Sequence, residues 1–198
     1  MEIVAFTGHP RADLGKKASK AVRREGFIPA VIYGSGDPLH FSTTWADVRH
    51  AVYTPEFKII EVTLDGATHR CIVKTVQYHP VSDQISHIDF LRLSPGMPVK
   101  VEVPVRFKGT SPGVRAGGKL LQLMRRVQIK ATPENLVNEV SLDISKLELG
   151  QSIRVRDIEA VANVEIMANG SIPVATIEIP RALRSAAAAA AASTGKKK

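Results

Sequence analysis

Cys71 is the only cysteine in 198 residues, which excludes an intramolecular disulfide and any zinc site built on several cysteines. No stretch approaches the roughly 20 consecutive apolar residues that cross a bilayer, so no transmembrane helix is expected. Ahead of the apolar run that opens the chain there is no basic segment, so a secretory signal is not expected and the chain reads as cytoplasmic. Acidic residues are scarce in two places. Between residues 11 and 24 six basic side chains face Asp13 alone, and residues 181–198 hold five basic and no acidic ones.

What is present is a globular composition. Hydrophobic residues make up 44% of the chain, enough to bury a core, and the length suits one large or two small domains. The net charge of +8 divides unevenly: +1 over residues 1–95, +2 over 96–180 and +5 over 181–198. A local basic segment on a nearly neutral body is the pattern of a surface that docks a polyanion. A solvated helix face is the plainer alternative.

The patterning predicts mostly strands. Residues 2–7 read as a strand, 16–25 as a short helix closed by Gly26, and 29–33 as an apolar strand before a glycine-rich turn. The first helix has only the narrow Ala18, Ala21, Val22 stripe to bury, so it is expected to be loosely held until a partner orders it. Thr44 and Asp47 match a capping box that opens a second helix to about residue 53. Residues 58–64 and 68–78 form a hairpin through Asp65-Gly66, and 85–93 is a further strand. A partly closed barrel removes the free edges of such a set. After a linker at 94–98, alternating valines at 99–105 mark a strand that Pro104 should confine to an edge or bend into a bulge. Strands at 127–131, 139–144 and 171–179 complete a second β-rich domain, and the alanine- and lysine-rich residues 181–198 read as a disordered tail. The fold class is mainly β: a partly closed N-terminal barrel with two short helices over 1–94, and a second β-rich domain over 97–180.

Two patterns carry candidate chemistry. Residues 113–119, GVRAGGK, have phosphate-loop spacing, but Leu120 stands where a Mg²⁺-binding hydroxyl is needed and the setting is β-rich, so a glycine-rich loop is the better reading. His87 and Asp89 lie two apart in a strand and share one face. They suit a metal site if His79 or His69 joins, a catalytic pair if a nucleophile is near, a polar outer face over Ile88 and Phe90, or base readout by a carboxylate and an imidazole.

The run RADLGKKASKAVRREGFIPAVIYG at 11–34, with QYHP at 77–80 and HIDFLRL at 87–93, resembles the bacterial large-subunit ribosomal proteins that bind 5S ribosomal RNA, a family that includes a general stress protein. GTSPGVRAGGKL at 109–120 resembles the long, two-domain form, and the similarity covers roughly residues 3–180. Lys20 departs from the Arg of some members, keeping the charge without its bidentate geometry. The tail departs from the acidic tails of some long members. The resemblance implies that Arg11, Lys16, Ser19, Lys20 and Arg23 meet the RNA backbone, while Tyr33, Lys74, Gln77, His87 and Asp89 line a contact in a widened groove. Simple strand alternation does not put Lys74 and Gln77 on one face. The implied protein is a structural component of the large subunit, not an enzyme. It has no cofactor, metal, membrane or small-molecule substrate, and its second domain meets other subunit components. Two rivals from other classes are a metal-dependent enzyme using His87 and Asp89, and a free stress-response adaptor that binds proteins through its β surfaces.

Overall fold

The structure is a computed structural model that describes residues 2–159 and 163–181. The expected disordered tail lies, beyond Arg181, outside the described residues. The described chain is mainly β and divides into two compact units. One takes the residues up to Val101 together with Lys130–Asn138, and the other takes Glu102–Ile129 and the chain from Glu139.

The first unit begins with β1 (Ile3–Thr7) and β2 (His9–Pro10), then α1 (Lys16–Arg24), β3 (Ile28–Tyr33), β4 (Leu39–Thr43) and α2 (Trp45–Val52). It continues through β5 (Ile59–Leu64), β6 (Ala67–Tyr78) and β7 (Ile85–Arg92). These strands form one sheet in the order β1-β5-β6-β7-β3-β4-β2. Its two ends are halves of the same segment. β1 runs parallel to β5, and after Gly8 the chain crosses to pair His9 and Pro10 with Ser42 and Phe41 of β4. The sheet therefore curls until one stretch of chain seals both edges, which removes the open edge that alternating strands would otherwise expose. Gly8 is where this crossing passes the core: a Cβ there would lie 2.5 Å from Phe41 Cδ2 and 2.8 Å from Leu64 Cδ2.

Local signals set the rest. Asp65 and Gly66 both have positive φ (49° and 84°), the turn that matches strand twist in a two-residue hairpin. The Asp47 carboxylate accepts from the Thr44 N–H at 3.3 Å and the Thr44 hydroxyl at 2.6 Å, starting α2. Inside, Phe41 and Phe90 stack at 5.7 Å between ring centres, among Ile32, Ile60, Val62, Cys71 and Ile88.

Past β8 (Val99–Lys108) come α3 (Pro112–Arg115), β9 (Lys119–Gln122), β10 (Arg126–Ala131), β11 (Val140–Asp143), β12 (Ser152–Arg154), β13 (Val164–Ile166) and β14 (Pro173–Glu178). They form a four-stranded sheet, β11-β8-β10-β13, and a three-stranded sheet, β12-β14-β9. β8 is internal to its sheet, so of the two placements expected for Pro104, edge or bulge, the edge does not hold for the strand as a whole. Its register with β11 starts at Val105, one residue beyond the proline, so the missing N–H falls outside that ladder. The 113–119 segment is no phosphate cradle. The Ser111 hydroxyl accepts from the Gly113 N–H at 3.1 Å and opens α3, and the chain then turns into β9. Gly113 and Gly118 are there for packing: a Cβ on either would meet Ile177 and residue Leu149 at under 3 Å.

Candidate nucleic-acid interface

α1 presents the helical part of the expected site. Lys16, Ser19, Lys20 and Arg23 are spaced i, i+3, i+4 and i+7, so they form one stripe. Ala18 and Val22 lie on the opposite flank, half-buried, and no residue of α1 is fully buried. The helix is held mainly at its ends. At the C-terminus Gly26 takes φ +86°, with Phe27 N–H donating to Val22 O at 3.1 Å and Gly26 N–H to Arg23 O at 3.2 Å, a Schellman cap. Ahead of the helix, Arg11 reaches back and donates to Asp13 O at 3.2 Å and to Ser19 Oγ at 3.5 Å. Arg11 and Ser19 are thereby brought together.

The strand residues share a second surface. β7 lies between β6 and β3, pairing Thr75 with Asp89 and Gln77 with His87 on one side, and Val31 with Asp89 and Tyr33 with Leu91 on the other. Residues two apart on a strand face one way. Tyr33, Gln77, His87 and Asp89 therefore stand on the outer face, while Ile32, Ile88 and Phe90 fill the barrel. His87 Nδ1 lies 2.8 Å from Asp89 Oδ1, both side chains about 26% exposed. The buried Nδ1 makes no hydrogen bond. Partial burial, and after it the Asp89 carboxylate, hold the Tyr33 phenol above its ordinary value.

Lys74 resolves the alternation problem. The ladder slips between Val73 and Thr75, so Lys74 is the extra residue of a β-bulge, and the strand changes phase there. Its ammonium donates to Lys100 O at 3.1 Å, which sets Lys74 at the margin of the shared face rather than within it. The two surfaces meet at Ser86. Arg23 Nε donates to Ser86 O at 2.8 Å, and the Ser86 hydroxyl donates to Gln77 O at 3.1 Å. Thr75 and Ser86 belong to this surface and were not singled out by sequence. Strand pairing would have found Thr75 only with the bulge already known. Among the described residues no third His, Cys, Asp or Glu joins His87 and Asp89 to make a metal cluster.

Comparison with known proteins agrees over both units. Residues 6–90 match the Ribosomal L25p family, and residues 98–181 match the C-terminal domain of ribosomal protein TL5. The large ribosomal subunit protein bL25 of Cytophaga hutchinsonii is 42% identical over 191 residues, covering 96% of this chain and 99% of that protein. Its counterpart in Amoebophilus asiaticus is 39% identical over the full length of both, and that of Porphyromonas gingivalis is 40% identical over 94% of this chain and 98% of its own. With two matched domains in sequence and relatives this similar from end to end, the chain belongs to the bL25 family of large ribosomal subunit proteins.

Proposed function

We propose that this ribosomal protein docks on 5S rRNA through its N-terminal barrel, residues 1–94, and meets other large-subunit components through residues 97–180. The family is one of structural ribosomal proteins rather than enzymes, and such a protein works on the ribosome in the cytoplasm. The observation that carries the RNA assignment is the junction at Ser86, where the cationic stripe of α1 adjoins the polar face of β3, β6 and β7.

The two parts suit different portions of an RNA helix. Lys16, Lys20 and Arg23 supply charge for the sugar-phosphate backbone, with Arg11 bracing Ser19 beside them. Tyr33, Gln77, His87 and Asp89 offer a ring, an amide, an imidazole and a carboxylate to base edges and 2′-hydroxyls in a shallow or widened groove, with Lys74 at its margin. A carboxylate repels phosphate, so Asp89 favours RNA only where it accepts from a base amino group. That makes it a specificity element.

The test is a titration of purified protein against 5S rRNA with excess tRNA competitor at about 0.15–0.3 M salt, where binding by phosphate contacts alone fades steeply. Tight binding that survives the competitor is expected. Binding no tighter than to tRNA overturns the 5S assignment and brings the adaptor reading forward.

A further inference from the structure

Beside the junction of α1 with β7 lies a cleft of about 590 Å³ that shares Arg23 and Ser86 with the interface described above and otherwise lies outside it. It is lined by side chains of α1, α2 and the turn between β6 and β7, and Arg23 borders both it and the cationic stripe. We propose that this cleft takes one unpaired nucleotide of the bound RNA, with its base stacked on Trp45 and its phosphate on Arg23. The proposal rests on the RNA-binding reading and extends it to a contact outside the β3-β6-β7 face.

The occupant follows from the lining. Trp45 and Tyr53 stand at opposite ends of α2, yet their rings approach to 6.5 Å between centres. They remain 51% and 55% exposed, which is unusual for large aromatic side chains. The guanidinium of Arg49 lies 5.7 Å from the centre of the Trp45 ring, adding positive charge to the platform. The aliphatic residues at the base of the cleft, Ile28 and Ile85, are already buried in the barrel core. The remaining lining is mainly aromatic and polar. Asp83 and Gln84 stand in the same wall and present a carboxylate and an amide to a base edge. Arg23 commits only Nε to Ser86 O, leaving its two terminal nitrogens for a phosphate. Aromatic face, base-edge partners and guanidinium within one concavity are the parts that single-stranded nucleic-acid sites use.

Trp45 is the one tryptophan of the chain, so its fluorescence reports on this cleft alone. The full-length protein is titrated with 5S rRNA while gel shift and tryptophan emission are followed in parallel. Emission is expected to quench in step with complex formation. Trp45→Ala should weaken binding about tenfold, within the range for loss of one base stack, and leave its salt dependence unchanged. Trp45→Phe should restore most of the affinity, which a loss of folding would not allow. A full gel shift with unchanged emission, and a Trp45→Ala variant that binds as well as the parent, overturns the cleft proposal and leaves the RNA reading intact. Quenching that appears only when the other large-subunit proteins are added assigns the cleft to a protein segment and likewise overturns it. No shift with any RNA removes the reading and the cleft proposal together.

Discussion

Asp89 illustrates what one side chain contributes when its sign is wrong for a polyanion. It stands on a sheet face beside His87, and its charge reaches across to β3, where it adds to the burial that raises the Tyr33 phenol. Asp89→Asn removes that field, and the Tyr33 pKa should then move down toward the ordinary value in an alkaline absorbance titration. It should fall only part of the way, because burial is the larger cause. A Tyr33 titration that does not move would separate the two side chains. Asp89→Ala should weaken 5S rRNA binding by about 1–3 kcal/mol, the scale of a base-discriminating contact, while tRNA binding holds or tightens as a negative charge is lost. Equal or tighter 5S binding would sink the readout role. Lys16 is the opposite case, an exposed cation on the α1 stripe. Lys16→Ala should weaken all RNA binding alike and reduce the salt slope by about 1.

At the scale of elements, α1 and the Gly8 crossing are the two places where local structure depends on something beyond itself. α1 has nine residues and none fully buried, and isolated helices below about 12–15 residues are marginal in water. Its backbone amides should therefore exchange quickly in the free protein and slow markedly on 5S rRNA binding. Exchange equally slow without RNA would show that the end contacts from Arg11 and Arg23 suffice. Gly8→Ala should cost about 1–3 kcal/mol in urea unfolding, because the added methyl overlaps Phe41 and Leu64 in a filled core. Elements whose signals are local were legible in sequence: the Thr44–Asp47 box, the Asp65-Gly66 hairpin and the Gly26 cap all stand where they were expected. Features set by distant partners were not. β2 is two residues long and exists only because β4 pairs with it, and the Lys74 bulge is defined by the register with β7. Pro104 was read by its own chemistry alone, but its place depends on where β11 begins pairing. The candidate site residues came from resemblance alone. Their adjacency at Ser86 was not legible, since nothing in the sequence marks a serine backbone carbonyl as the meeting point.

Over the whole molecule, Cys71 is the side chain that can test whether RNA binds the barrel. Its side chain is fully buried in the first unit's core, with Sγ 3.5 Å from Ile60 O. Burial pushes the thiol from its ordinary 9.0 up to about 12, outweighing the pull of Arg92 in the other direction. Between those values the native protein keeps a proton that the unfolded chain releases. Stability is therefore undiminished below about pH 9 and falls as pH rises from there toward 12, by up to about 1.4 kcal/mol per unit. The reactive species is the thiolate, so below that window the native thiol is protected both by lack of access and by protonation. A thiol reagent at neutral pH should then label Cys71 only through opening of the barrel, at a rate that denaturant accelerates. A ligand that binds the folded barrel lowers the open population by the factor its binding supplies. Saturating 5S rRNA should slow Cys71 labelling by that factor, and tRNA should slow it far less. Because no other thiol exists in the chain, the signal belongs to the first unit. Rapid labelling of the free native protein would contradict the sealed barrel. Unchanged labelling in a complex that gel shift shows to be fully formed would move the RNA contact off the barrel and onto the second unit.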